Sequence, residues 1–297
     1  MSQQTHIITL ISHPDDPQIT DHVLNDLADH LGRGFEVHTL AEGVACDISV
    51  NADEAAHAAL IAPNLHQQRI DMAMQPIAGR RKSILIADMD STMIEQECID
   101  ELADAVGIKD KVSDITARAM RGEIEFDPAL RERVGLLKGL DLAIIDDVVR
   151  DKITLRTGGR ELVQTMKAQG GYTALVSGGF TMFTQRIGDM LGFDENRANT
   201  LETDGGELSG TVADPILGSA AKVTALKEIC LMRGVKPSDV MAIGDGANDL
   251  GMIELAGAGI AVHAKPKVAA AADMAINHGD LTALLYLQGY SKASFVS

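Results

Sequence analysis

The stretch "ILIADMDSTMIEQE" runs from Ile84 to Glu97. A four-residue apolar run stops at Asp88, a second carboxylate follows at Asp90, and Ser91 and Thr92 come next. Two like charges so close at the mouth of a buried strand each disfavour ionisation of the other, so the pair needs a reason. Two further apolar runs end in similar groups, "TALVSGG" (Thr173–Gly179) and "VMAIGDGAND" (Val240–Asp249). With helical patterns between them, the alternation predicts a parallel sheet covered on both faces. In such sheets ligands bind beyond the carboxyl ends of the strands, so three clusters far apart in sequence are expected to meet in one crevice.

Working outward, the stretch from Glu97 to Ile153 is helical almost throughout. "CIDELADAVG", "DKVSDITARAMRG", "FDPALRERVGLLKG" and "DLAIIDDVVRDKI" form four amphipathic patterns joined by short loops, a set that can pack as a small bundle. "NTLETDGGELSGTV" (Asn199–Val212) carries a Gly-rich turn between alternating segments and predicts a hairpin.

Composition changes near residue 80: no lysine precedes Lys82, and seven of nine histidines lie at or before His66. "GRRK" (Gly79–Lys82) reads as a linker. Before it, "HIITLIS", the stripe Ile19, Val23, Leu24, Leu27 and Leu31, then "FEVHTLA", "VACDISVN", "ADEAAHAALIAPNL" and "RIDMAMQPI" give the order βαββαβ of a ferredoxin-like α+β unit. Its histidines lack metal-ligand spacing and read as surface residues. The expected division is residues 1–80, then 81–297, the latter with a core of 81–96 and 154–297 and a helical cap of 97–153.

The 297 residues suffice for two compact domains. Aromatics make up 3% and Trp is absent, so Leu, Ile, Val, Ala and Met must build the core. A net charge of -17 argues against nucleic acid or an anionic membrane as partner, but not against a small anion held by local cations or a metal. Cys46, Cys98 and Cys230 are far apart, which suggests neither a disulfide framework nor a zinc site. No apolar run is long enough to span a bilayer, and "MSQQTHIITL" lacks a signal-peptide pattern, so a cytoplasmic location is expected.

The three clusters suggest phosphoryl transfer. An ionised aspartate can attack phosphorus, and Mg²⁺ offsets the charge between an anionic nucleophile and an anionic phosphate. Asp88 and Asp245 would supply carboxylates, Asp249 a contact to a metal-bound water or to the ligands from behind, and Ser177 and the Gly178 N–H neutral donors to phosphate oxygens. Lys222, in "GSAAKVTAL", reads by spacing alone as a solvated surface group.

"DMDST", "VSGG", the lysine and "GDGAND" stand in the order found in the haloacid dehalogenase superfamily of phosphohydrolases, and the insertion after the first motif resembles its mobile cap. "ECIDELA" and "ITARAMRGEIEFDPALRERVGLLKG" bring the resemblance, over about residues 83–285, to the phosphoserine phosphatase family. It implies Asp88 as nucleophile and Mg²⁺ ligand, and Asp90 as general acid/base with its carbonyl on the metal. Asp245 is implied as the other Mg²⁺ ligand, Ser177, Gly178 and Lys222 as the phosphate cradle, and Asn248 and Asp249 as supporting residues on the substrate side and behind the metal. On the cap it implies Glu97 as partner of the substrate ammonium and Arg133 of its carboxylate, with Met120 and Phe126 closing the pocket. Without the resemblance, Glu97 reads as a first-turn residue favoured by the helix dipole and Arg133 as an exposed helix charge.

The expected reaction is Mg²⁺-dependent hydrolysis of O-phospho-L-serine to L-serine and phosphate through an aspartyl-phosphate, the last step of serine biosynthesis. The alternatives are phosphotransfer to another hydroxyl such as that of homoserine, and a non-catalytic amino-acid sensor. The first 80 residues resemble an ACT domain in outline, which implies a regulatory or dimerisation role, with a homodimer and serine binding there as expectations.

Overall fold

The computed structural model describes residues 5–32, 34–120 and 123–297, the side chain of Met120 apart. The chain opens with β1 (His6–Ile11), α1 (Asp21–Leu31), β2 (Val37–Ala41), β3 (Ala45–Val50), α2 (Ala52–Ala58), α3 (Ala62–Gln67) and β4 (Asp71–Pro76). The stripe read for α1 forms that helix: Thr20 caps its start, Gly32 closes it in a left-handed conformation, and Val23 and Leu27 are buried. The four strands make an antiparallel sheet in the order β2-β3-β1-β4, the ferredoxin-like arrangement predicted from the βαββαβ order.

Both faces of that sheet are covered. Ile8, Leu10, Ile48 and Val50 meet Val23, Leu27, Ile61 and Leu65 of the helices. Ile11, Leu40, Ala41, Val44, Ala45 and Ala73 instead join the cluster that contains Leu284, Leu285 and Leu287 near the other end of the chain.

The second layer is built on β5 (Ile84–Ala87). Four helices follow, α4 (Cys98–Ala105), α5 (Lys109–Met120), α6 (Phe126–Gly135) and α7 (Ala143–Asp151), matching the four amphipathic patterns. The chain then runs through α8 (Gly159–Ala168), β6 (Tyr172–Phe180), α9 (Thr181–Leu191), β7 (Glu195–Asn199), the hairpin β8 (Leu201–Asp204) and β9 (Glu207–Val212), and α10 (Ser219–Arg233). Last come β10 (Val240–Gly244), α11 (Leu250–Leu255), β11 (Ala258–Val262), α12 (Pro266–Ala271), β12 (Met274–Ile276) and α13 (Ala283–Leu287). Six strands form one parallel sheet, β12-β11-β10-β5-β6-β7. Along β5, Ile84 and Ile86 face the cluster with Leu226 and Ile229 of α10, while Leu85 and Ala87 face the one with Leu162 of α8 and Leu284 of α13. The period of two explains why the strand is apolar at every position: both faces are dry.

The hairpin β8–β9 stands outside this sheet and is sewn to the cap. Gly139 N–H donates to the Leu208 carbonyl (2.8 Å), Leu208 N–H to that of Leu140 (2.8 Å), and Leu142 N–H to that of Gly206 (3.1 Å). The chain crosses between core and cap at two paired segments: Ile94 bridges Leu155, and Glu95 N–H donates to the Thr154 carbonyl (3.0 Å).

"GRRK" is anchored along its length: the Arg81 guanidinium lies 4.4 Å over the Tyr290 ring, and Lys82 Nζ donates to the carbonyls of Gly79 (2.8 Å) and Ser238 (2.9 Å). Arg80 inserts between the layers, where its guanidinium meets Asp47 Oδ2 at 2.6 Å and Oδ1 at 3.1 Å. It also donates to the carbonyls of Leu287 (3.0 Å) and Tyr286 (3.1 Å) at the end of α13. Thr9 and Asp47 are polar residues on the buried face of the first sheet, and a guanidinium is what makes burying them tolerable.

Candidate active site

Three adjacent strands, β10, β5 and β6, end at one crevice. Chain order reverses here, because β6 lies on one side of β5 and β10 on the other, so the loops diverge and leave a cleft. A cavity of about 670 Å³ opens there, lined from the core by Asp88, Asp90, Ser177, Gly178, Asp245 and Asn248, and from the cap by Glu97, Phe126 and Arg133.

Asp88 follows β5 directly, and its N–H donates to the Ile243 carbonyl (3.0 Å). Its side chain is 6% exposed, and Lys222 Nζ lies 2.5 Å from Oδ1. Lys222 projects from the first turns of α10, is 2% exposed, and also donates to Asp249 Oδ1 at 2.6 Å. It is therefore no solvated surface lysine. Asp249 Oδ2 accepts the Gly246 N–H (3.0 Å), and Gly244 is required beside it because a methyl group there would collide with the Asp249 carboxyl. Asp245 accepts a hydrogen bond from Thr92 Oγ1 at 3.2 Å.

Oxygens of Asp88, Asp245 and Asp249 lie within 4.8 Å of one another. Burial pushes the Asp88 carboxyl upward, Lys222 opposes that, and Asp249 adds to it. Asp245 rises for the same first reason, burial, followed by the charge of Asp249. Burial alone would lower the Lys222 ammonium, but the two carboxylates in contact outweigh it and raise it. One ammonium set against three carboxylates leaves the cluster short of positive charge. Hard oxygen donors at this spacing fit a hard divalent cation, with Asp88 and Asp245 facing the cavity and Asp249 beneath it.

Asp90 sits in a different environment. Oδ1 accepts the Cys98 N–H at the start of α4 (2.9 Å), and Oδ2 accepts from Ser177 Oγ (3.3 Å). Burial raises this carboxyl, with the Cys98 N–H pulling the other way. All groups that contact its oxygens are neutral, whereas Asp88 touches an ammonium. Gly179, which the sequence reading passed over, makes the arrangement possible: a methyl there would lie 2.8 Å from Asp90 Oδ2, and its N–H donates to Ser177 Oγ (2.8 Å).

On the cap side, Glu97 precedes α4 and accepts from Ser91 Oγ (2.8 Å). Its side chain reaches solvent within the cavity, yet the enclosing protein, and then Asp90, push its carboxyl up to about 7. Arg133 of α6 donates to Thr116 Oγ1 and to the Ala129 carbonyl, both at 3.3 Å. Burial lowers its guanidinium, and Asp100 and Glu97 work against that. Phe126 lies against Gly178 and Gly218, where added methyl groups would come within 3.7 and 3.3 Å of its ring. The side chain of Met120 lies outside the described residues.

Lys265, also missed from sequence, lines the cavity beside Asp245, to whose carbonyl its N–H donates (3.2 Å). Arg156 was missed as well: nothing in its spacing marks it, and its contacts emerge only where the chain leaves the cap.

A haloacid dehalogenase-like hydrolase profile matches residues 85–254. A phosphoserine phosphatase of Polaromonas sp. is 48% identical over 209 residues, covering 69% of this chain and 89% of its own. One from Archaeoglobus fulgidus is 44% identical over 217 residues, covering 72% of this chain; the chain spans only 63% of that relative's length. The crystal structure of a probable phosphoserine phosphatase from Vibrio cholerae, 30% identical, superposes with a TM-score of 0.81 over 98% of this chain and 88% of that one, so the likeness includes the first 80 residues. No helix among the described residues is long and apolar enough to cross a membrane. The chain belongs to the haloacid dehalogenase-like hydrolase family.

Proposed function

We propose that the protein hydrolyses O-phospho-L-serine to L-serine and phosphate with Mg²⁺ as cofactor, in the cytoplasm and as the last step of serine biosynthesis. The observation that carries this reading is the division of one cavity: a core end lined by Asp88, Ser177 and Gly178 over Lys222, and a cap end where Glu97 and Arg133 offer one anion and one cation. Phosphoserine carries the matching three charges. A guanidinium can bind both oxygens of a carboxylate, and a closed pocket penalises a ligand that leaves either charge unpaired. The names carried by the relatives agree with this substrate.

Burial pushes the Asp88 carboxyl upward, and the ammonium of Lys222 beside it, together with the cation when bound, would favour its ionised form. The Asp88 oxygen attacks phosphorus, an aspartyl-phosphate forms, and the bond from phosphorus to the serine oxygen breaks. Asp90, surrounded by neutral donors, holds the proton that the serine oxygen receives. In the second half, Asp90 takes a proton from water, the water oxygen attacks phosphorus, and Asp88 and inorganic phosphate are released. Ser177, the Gly178 N–H and Lys222 hold the phosphoryl oxygens, and Asn248 lies on the substrate side. Asp88 and Asp245 with the Asp90 carbonyl would hold Mg²⁺, and Asp249 would support the set from below while anchoring Lys222. When bound, the cation supplies positive charge to the phosphoryl group. Phe126 closes the cap over the serine portion.

The first 80 residues are proposed as an ACT-like regulatory or dimerisation domain, with a homodimer and serine binding there to be tested. The phosphatase domain is assigned to 81–297 and its cap to 97–153. Phosphate release from a panel of phospho-amino acids, with and without Mg²⁺ and homoserine, tests the whole reading. Turnover confined to phosphoserine plus Mg²⁺ is expected. An inert chain that binds serine tightly would replace the enzyme by a sensor, and release that depends on homoserine would replace hydrolysis by transfer.

A further inference from the structure

Ser91 holds φ 57, a left-handed conformation that is uncommon for residues other than glycine. It lies one residue after Asp90, and its hydroxyl donates to Glu97, so its backbone conformation fixes where two pocket carboxylates stand. A conformation of this kind persists when its surroundings over-determine it. The N–H groups of the loop are held locally, that of Ser91 by the Gln96 carbonyl (3.2 Å) and those of Thr92, Met93 and Ile94 by the Met89 carbonyl, whereas its carbonyls are held by one distant residue. Arg156 Nη2 donates to the Ser91 carbonyl (2.9 Å), Arg156 Nε to the Thr92 carbonyl (3.1 Å), and the Arg156 backbone N–H to the Met93 carbonyl (2.9 Å). Three successive carbonyls of the loop after Asp90 thus point at a single arginine. No hydrogen bond among the described residues engages the next carbonyl toward β5, that of Asp90.

Arg156 also stands at the end of the short ladder where the chain returns from cap to core. Ile94 bridges Leu155, and Gln96 accepts the Thr154 N–H (2.8 Å). A shift of this return segment moves the guanidinium, and the guanidinium holds the loop that carries Asp90 and Thr92, the latter bonded to Asp245.

We infer that Arg156 is a positioning residue: by clamping the carbonyls of Ser91 and Thr92 it turns the catalytic loop so that the Asp90 carbonyl and Asp245 face a divalent cation, and it ties that geometry to the cap crossing. The inference rests on the function proposed above. A lysine cannot reproduce it, because one ammonium on a flexible stem does not span two carbonyls as a rigid fork does.

The test uses the full chain as R156K and R156A. It measures kcat and KM for phosphoserine, and separately Mn²⁺ binding through loss of the free-ion EPR signal. Displacement of a group that orients ligands costs about 10- to 100-fold in metal affinity or activity. Both variants are therefore expected to lose about 10- to 100-fold in kcat with KM within about threefold, to bind Mn²⁺ more weakly, and R156A to regain part of its kcat in millimolar guanidinium. A folded R156K or R156A with kcat within about twofold of the parent and unchanged Mn²⁺ binding overturns the inference. So does a loss of kcat that follows a lowered melting temperature and that guanidinium does not restore. R156K alone decides if R156A does not fold. A parent chain inert toward phosphoserine would remove the proposed substrate, while the Mn²⁺ comparison would still decide the role of Arg156.

Discussion

Arg80→Ala should loosen the junction between the two sheets. The side chain of Arg80 is 13% exposed and that of Asp47 4%, and the pair is two-pronged at 2.6 and 3.1 Å. Truncating the arginine leaves Asp47 buried with Thr9 Oγ1 as its remaining side-chain donor (2.7 Å). Breaking a buried pair from one side costs about 3–5 kcal/mol. The partial exposure of Arg80 favours the lower end, about 3 kcal/mol, a large share of the total of about 5–15 kcal/mol for a folded domain. With a denaturant slope of about 5 kcal/mol/M, the guanidinium midpoint would fall by about 0.6 M. The double variant Asp47→Asn/Arg80→Met removes the stranded charge. The Leu287 carbonyl keeps the Gln75 amide (2.7 Å), so this variant should recover about half of the loss. Equilibrium unfolding of both variants by tryptophan-independent far-UV circular dichroism is the assay. An Arg80→Ala loss under about 1 kcal/mol, or a double variant no more stable than the single one, would refute the reasoning.

Three further outcomes concern the pocket. Because Glu97 sits at about 7, the KM for phosphoserine should fall as pH rises through that value and the carboxylate forms; in Glu97→Gln this component should vanish, and an identical profile in both proteins would remove Glu97 from ammonium recognition. Lys222→Met should lower kcat by about 100-fold or more, as loss of a preorganised charge at the phosphoryl group does, and a variant within about fivefold of the parent would remove Lys222 from the cradle. Gly179→Ala brings a methyl within 2.8 Å of Asp90 Oδ2 and 3.1 Å of Ser177 Oγ; kcat should drop by about 10-fold or more with the fold retained, and unchanged kinetics would show that the loop accommodates the methyl freely.

Much of this molecule is written in local pattern. The apolar run Ile84–Ala87, the four cap helices and the βαββαβ order are periodicities that burial enforces, and they appear where the residues place them. The convergence of Asp88, Ser177 and Asp245 follows from strand ends in a parallel sheet. Residues whose work depends on distant backbone are not legible in this way. Arg80 looks like part of a basic linker because its partners, Asp47 and the end of α13, lie 33 and more than 200 positions away. Arg156 answers carbonyls, which every residue carries, so no side-chain pattern announces it. Gly179 differs from Gly178 only in what would fill its missing side chain. Lys222 shows the reverse: the resemblance implies its place in the cradle, and what holds it in the site, two carboxylates within 2.6 Å, is visible only in three dimensions.

The seam between cap and hairpin bears on how this protein could be re-engineered. Leu208 exchanges main-chain hydrogen bonds with Gly139 and Leu140, and Gly206 accepts from Leu142. A graft that swapped residues 97–153 for another lid, to change which phosphate ester is admitted, would leave those hairpin groups facing a foreign backbone. At the far side of the hairpin, Asn199 donates to the carbonyls of Gly178 and Leu217. The unit of exchange is therefore lid plus hairpin, cut at Asn199 and beyond Val212, and a chimera that respects those borders keeps the end of β6 at Ser177 and Gly178 in register.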